Sequence, residues 1–322
     1  MTTDMRMVVA LDIGGTKIAG AVLCADSASS ADVPQVVFET SVPTMAERGG
    51  ADVLRRVAEL AIDLMRRCVD SLHGDGGNTI VGIGVSAAGV IDENGCVASA
   101  TGLMPGWTGI PLGAALHEAT GVPVRVVGDV HAHALGESIW GTGRGLTSML
   151  LVAVGTGVGG AVVMDDTVLY GAHHVGGHIG HVMHPAARGL VCSCGRMGHV
   201  EAVASGSGIE TRYASATGAH ASGGQIARRA AEGDAAALDV LVTAGRALGE
   251  VLGSQANVID PEAIVLSGSV CAAGRCWLDA VRDGYRGQAM DIVADVPIVL
   301  GSLGGDAPLF GAASLVLGLT DK

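Results

Sequence analysis

The chain has 322 residues, 49% of them hydrophobic and only 16% charged, more than one compact core usually serves, so two domains are expected. With 32 acidic against 19 basic residues the formal charge is −13, which removes the electrostatic term behind most nucleic-acid binding and excludes a nucleic acid as the expected partner. Apolar runs such as 149–154 are far shorter than the ~20 residues that span a bilayer, so no membrane partner is expected either.

In chain order, 7–11 and 17–23 are β-rich around Gly14, Gly15 and Thr16, the pattern of a hairpin, and 36–42 supplies a third strand. Apolar residues Val53, Leu54, Val57, Leu60, Ala61, Leu64 and Met65 recur at helical spacing, predicting a helix over 51–72. A strand at 80–85, a helix at 112–120, a strand at 122–127 and a helix at 130–140 follow, the alternation of an α/β protein. At Met149 the hairpin theme returns: Gly15, Thr16, Gly20, Ala21 and Val22 recur in register as Gly155, Thr156, Gly160, Ala161 and Val162, which points to two related halves. An irregular loop spans 173–198. Helices at 224–229 and 234–256, a strand at 263–267, a further helix, a strand at 297–300 and a final helix at 311–317 complete the chain. The expected domains are a small N-terminal one, 1–124 with 310–322, and a larger C-terminal one, 125–309.

Asp12, Gly14, Gly15, Thr16 and Lys17 place a carboxylate at a strand end and two glycines in a sharp turn, so that amides and the Thr hydroxyl can face an anion. Gly155, Thr156 and Gly157 repeat that chemistry, and their small size lets a nucleotide phosphate approach the main chain. Gly268, between Ser267 and Ser269 after a strand, is a third candidate contact, suited to packing under an adenosine. No Walker A sequence occurs, nor a Gly-x-Gly-x-x-Gly that follows a strand and opens a helix.

Asp129 follows the strand at 122–127, where α/β folds gather their ligands, and is the candidate base for deprotonating an attacking hydroxyl. The competing reading is a helix cap for 130–140. The seven cysteines are scattered apart from Cys192 and Cys194, which argues for reduced thiols and one metal site. Cys192, Cys194 and His199 form a C-x-C-x4-H cluster to which His181 can add a fourth donor, with His178 and His184 as rivals. Two thiolates and two imidazoles suit a structural Zn²⁺. The opening MTTDMRMVVALDIGG lacks the pattern of a secretory signal, so a cytoplasmic location is expected.

The segments DIGGTK, GVSAAGVID, GDVHAHALGE, VGTGVGG, GGHIGH and CSCGRMGHVEA resemble, in order and over essentially the whole chain, the ROK family of repressors, open reading frames and kinases. The resemblance implies an α/β, two-domain actin-like or hexokinase (ribonuclease H-like) ATPase fold with an interdomain cleft. It implies a sugar kinase that uses ATP and Mg²⁺, usually on O6 of a hexose, assembled as a homodimer or homotetramer. By the same resemblance Asp129 is the catalytic base, Glu201 a sugar-binding carboxylate, and His181 both a sugar neighbour and a ligand of structural Zn²⁺ with Cys192, Cys194 and His199. His178 stands where the family usually has Glu, as it does in the bacterial N-acetylmannosamine kinases, which makes N-acetyl-D-mannosamine the expected sugar. A glucokinase, or a non-catalytic sugar-binding or regulatory ROK protein, is the alternative. Gly128 and Gly102 stand where the family has sugar-facing Asn residues. The expectation is a roomier sugar pocket, or contacts supplied instead by His131 or His133.

Overall fold

The computed structural model describes residues 5–26, 32–71, 79–102, 104–165 and 167–318. In chain order its elements begin with β1 (Met5–Ile13), β2 (Lys17–Asp26), β3 (Gln35–Pro43), α1 (Gly50–Ser71), β4 (Thr79–Ala87), β5 (Val90–Ile91) and β6 (Val97–Ser99). Next come α2 (Leu112–Thr120), β7 (Val124–Gly128), α3 (Asp129–Trp140), β8 (Ser148–Val154), β9 (Val158–Met164) and β10 (Thr167–Val168). The rest are α4 (Glu201–Ala204), α5 (Gly206–Thr217), α6 (Gly223–Ala231), α7 (Ala235–Ile259), β11 (Ala263–Ser267), α8 (Arg275–Arg286), β12 (Ile298–Leu300) and α9 (Ala307–Leu317). They form two compact units, Met1–Gly145 with Asp165–Gly176 and Gly305–Lys322, and Leu146–Met164 with Gly177–Gly304.

The first unit is built on a sheet of order β3-β2-β1-β4-β7. β1 runs antiparallel to β2 and parallel to β4, and β4 runs parallel to β7. The helical spacing read at α1 serves this sheet: Val53, Val57, Leu60, Ala61, Leu64 and Cys68 are all buried in one cluster with Leu11, Ile18 and Val22. The expected end of that helix, Leu72, lies outside the described residues. α9 returns late in the chain to pack on β4 and α3 at backbone contact. A Cβ on Gly84 would strike the carbonyl of Ala312, one on Gly311 that of Ala132, and one on Gly136 that of Ala307. The expected domain break after residue 124 falls inside β7, whose partner is β4. Residues 125–145 therefore pack with the first unit, and the division comes at Gly145 and Leu146.

The second unit repeats the plan. β8 runs antiparallel to β9 and parallel to β11, which runs parallel to β12, matching the order β2-β1-β4-β7. The two Gly-Thr turns thus occupy equivalent hairpins. α7 buries Val240, Leu241, Leu248, Val251 and Leu252 in the core, and Asp234 caps its start by accepting the amides of Ala236 and Ala237. Ser222 and Gln225 cap α6 reciprocally. Among the described residues no helix is long and apolar enough to cross a membrane.

Candidate active site

In the first unit the carboxyl ends of three neighbouring parallel strands deliver the acidic residues. Asp12, next to last in β1, is in register with Ser86 of β4, and Ala87 with Gly128 of β7. Ser86 Oγ donates to Asp12 Oδ1 at 2.6 Å. Burial raises the Asp12 pKa, while the Ser86 hydrogen bond and the Lys17 charge oppose the rise. Asp129 opens α3, with Gly128 in the N-cap position. Burial pushes its carboxyl up to about 6, and the negative charge of Asp12 adds to the effect. The amide of Val130 donates to it at 2.8 Å.

The 14–17 turn is closed by Gly14 N–H donating to the Lys17 carbonyl at 3.0 Å. Thr44, fully buried, braces it from beneath: its hydroxyl donates to Gly14 O at 2.7 Å and its amide to Thr16 O at 2.9 Å. Gly15, Thr16 and Lys17 are exposed, and a Cβ on Gly15 would meet nothing, so the outer face of the turn is open to a ligand. Thr44 carries no signature that sequence reading can detect. The two glycines set against the sugar differ: a Cβ on Gly102 meets nothing within 4 Å, whereas one on Gly128 would lie 3.2 Å from Gly89 O and 3.5 Å from His131 Nδ1. His131 is buried, with Nε2 3.0 Å from Gly176 O, and His133 is buried with Nε2 unpartnered.

In the second unit the 155–157 turn is closed by Gly155 N–H donating to Gly157 O at 2.9 Å and bolted to the start of α5, where Gly206 N–H donates to Gly155 O at 2.8 Å and Ser207 Oγ to Thr156 O at 2.5 Å. Glu201 lies beneath it. Its Oε2 accepts Val158 N–H at 3.1 Å, and its Oε1 accepts Ser193 Oγ and, at 3.1 Å, Cys192 Sγ. Burial alone would raise the Glu201 pKa, but these donors outweigh it and hold the carboxyl below its ordinary range. Beside the turn lies a cavity of about 260 Å³, walled by the first turns of α5 and α6 and by Ser269, Val270, Ala272 and Ala273. Sequence reading missed the α5 and α6 contributions. Gly268 is not among the residues that wall it. At φ +93 it lies against β8, where a Cβ would collide with Val154.

The Cys/His loop brings together the four donors that the resemblance implied. One ligand atom from each of His181, Cys192, Cys194 and His199 lies within 4.8 Å of every other. Cys192 Sγ is 3.5 Å from His181 Nδ1, and Cys194 Sγ 3.3 Å from His199 Nδ1. The rivals fall away on geometry. His184 is committed, Nε2 to Glu250 Oε2 at 2.8 Å and Nδ1 accepting Ala186 N–H at 3.2 Å. His178 stands beside His181, ring centroids 6.3 Å apart, outside the cluster. Burial pushes the Cys192 thiol up to about 12, a cost that a bound dication reverses by stripping the proton. An S₂N₂ set of this size fits tetrahedral Zn²⁺.

A family model described as the ROK family matches residues 8–318. The chain belongs to the ROK family. Its two-domain α/β architecture is that of a ROK sugar kinase fold. The glucokinase of Halalkalibacterium halodurans is 33% identical over 327 residues, covering 97% of this chain and 95% of that protein. The N-acetylmannosamine kinase of Escherichia fergusonii is 30% identical over 318 residues, covering 96% of this chain and 98% of the relative. Among solved structures, the ROK family glucokinase from Streptomyces griseus in complex with glucose and AMPPNP is 26% identical with a TM-score of 0.77, covering 96% of this chain and 98% of that one.

Proposed function

We propose that this ROK protein is a sugar kinase that transfers the γ-phosphoryl group of ATP to the 6-hydroxyl of a hexose or N-acetylhexosamine. The observation that carries the reading is Asp129: a carboxylate at the carboxyl end of a parallel strand, raised to about 6, ionised at neutral pH yet basic enough to take a proton from an alcohol. Asp129 accepts the O6 proton as O6 bonds to the γ-phosphorus and the bond to the β,γ-bridging oxygen breaks, giving sugar 6-phosphate and ADP.

The open 14–17 turn of the first unit and the 155–157 turn of the second are assigned to phosphate oxygens, which backbone amides bind without bringing a competing charge. Asp12, whose charge raises the proton affinity of Asp129, suits a site where Mg²⁺ accompanies the nucleotide, with Asp12 as the residue that would hold the ion. The ion supplies neutralisation of phosphate charge. His181, Cys192, Cys194 and His199 would hold Zn²⁺, which with four protein ligands would serve structurally, keeping in place the loop that carries His178 and lies against Glu201.

His178 favours N-acetyl-D-mannosamine as the sugar, and the 33% identity to a glucokinase supports glucose as the second reading. ADP release measured with ATP against a panel of hexoses and N-acetylhexosamines tests both. Turnover confined to N-acetylmannosamine or to glucose selects one reading, and absence of turnover with every sugar refutes the kinase.

A further inference from the structure

We infer that the phosphoryl donor is selected by its ribose hydroxyls and not by its base, with Glu210 as the residue that reads them. The inference rests on the kinase reading above and goes on to the class of nucleotide used.

The 260 Å³ cavity has a direction built into it. At one end Thr156 is bound to Ser207 in the first turn of α5. Glu210 follows Ser207 by three residues and so lies on the same helix face, about 5–6 Å further along. That is one helical turn beyond the phosphate end, the place of a ribose whose phosphates lie at Thr156. Glu210 lines this cavity and also a wider one of about 800 Å³ beside it. Its Oε1 accepts the Gly223 amide at 2.7 Å, which fixes the orientation of the carboxylate at the start of α6. An ionised carboxylate only accepts hydrogen bonds. It repels phosphate and welcomes hydroxyl donors, so it excludes the triphosphate from this end and favours a vicinal diol.

Beyond Glu210 the walls change character. Gly223, Gly224 and Ala227 on one element and Ala272 and Ala273 on the other carry no side-chain donor or acceptor. They make a slot for a flat ring with nothing in their side chains to distinguish one ring edge from another. A Cβ on Gly224 would meet nothing within 4 Å, so this face of the slot is empty space. Ser269 also lines the cavity, next to Gly268 where that residue packs on Val154, and its hydroxyl both donates and accepts, so it does not tell one purine edge from another.

The test compares kcat/KM for ATP, GTP, 2′-deoxy-ATP and 3′-deoxy-ATP with one saturating sugar, alongside calorimetric titration of ADP and 2′-deoxy-ADP into the intact protein. ATP and GTP are expected within about threefold of each other, and each deoxynucleotide at least about tenfold worse, the usual effect of a lost hydrogen bond to a charged group. Glu210→Ala should bring the ATP to 2′-deoxy-ATP ratio close to one, and Gly224→Val should weaken ADP and 2′-deoxy-ADP alike. Equal use of ATP and 2′-deoxy-ATP by the native protein, or a loss above about tenfold with GTP, overturns the inference while leaving the kinase intact. Ribose-dependent ADP binding without phosphoryl transfer to any sugar does the reverse. Should Glu210→Ala fail to fold, the native ratios decide, and Glu210→Gln, which can keep the bond to Gly223, should show an intermediate ratio.

Discussion

Glu201 accepts the backbone amide of Val158 at 3.1 Å, tying the residue after the 155–157 turn to the loop that carries the Cys/His cluster. With Cys192 and Ser193 on its other oxygen, one carboxylate at 8% exposure joins two regions read separately in the sequence. Glu201→Ala leaves the Val158 amide and the Ser193 hydroxyl without their acceptor and should cost about 2–4 kcal/mol, measured by urea unfolding, with ADP affinity falling in step. Glu201→Gln, which keeps an acceptor oxygen, should cost less. Native stability in Glu201→Ala would show that the tie carries no load.

Asp129 links activity to pH. Its folded-state pKa lies above the ordinary 3.8, at about 6, so its protonation favours the folded protein: that stabilisation is complete below about pH 3.8 and is lost as pH rises through about 6. Asp129→Asn should therefore raise stability at pH 8, by up to about 3 kcal/mol, with the gain fading toward acid pH. Its turnover should fall roughly 10²- to 10⁴-fold. Native kcat/KM should rise with pH through about 6. Unchanged turnover in Asp129→Asn would remove Asp129 from the chemistry.

The Cys/His loop should hold one zinc per chain, measured by atomic absorption on protein purified without added metal. Cys194→Ala and His199→Ala should lose it, and a chelator should lower the melting temperature of the native protein. His184→Ala, which breaks the contacts to Glu250 and to the Ala186 amide, should keep its zinc. Retention of metal by Cys194→Ala would point to another ligand set.

Gly102 and Gly128 should respond differently to Asn. Gly102→Asn adds a side chain to open space and should leave stability within about 0.5 kcal/mol while changing KM among sugars. Gly128→Asn presses on Gly89 O at 3.2 Å and should cost about 1–3 kcal/mol. Equal stability of the two variants would show that the β7 end yields freely.

Much of this molecule was legible because its local signals agree with its packing. The α1 periodicity names residues that are buried, and the Gly-Thr echo marks two hairpins with the same neighbours in their sheets. What escaped was set by contacts distant in sequence. β5 and β6 are two and three residues long, too short for any period. α5 begins Gly-Ser-Gly, which reads as a turn, yet Gly206 and Gly208 are small because Gly155 O and Ala202 O crowd them. Gly268 packs against Val154, a contact the sequence could not name, since a glycine after a strand announces close approach without saying to what. The four residues whose donor atoms cluster were named by spacing and resemblance together, but only geometry set His184 apart.

The glycine contacts of α9 with β4 and α3 impose an order on synthesis. All of 146–304, which contains the whole second unit, emerges from the ribosome before α9 exists. That unit can close while the first, translated earlier, still lacks the helix that seals its sheet, and the portion made first is completed last.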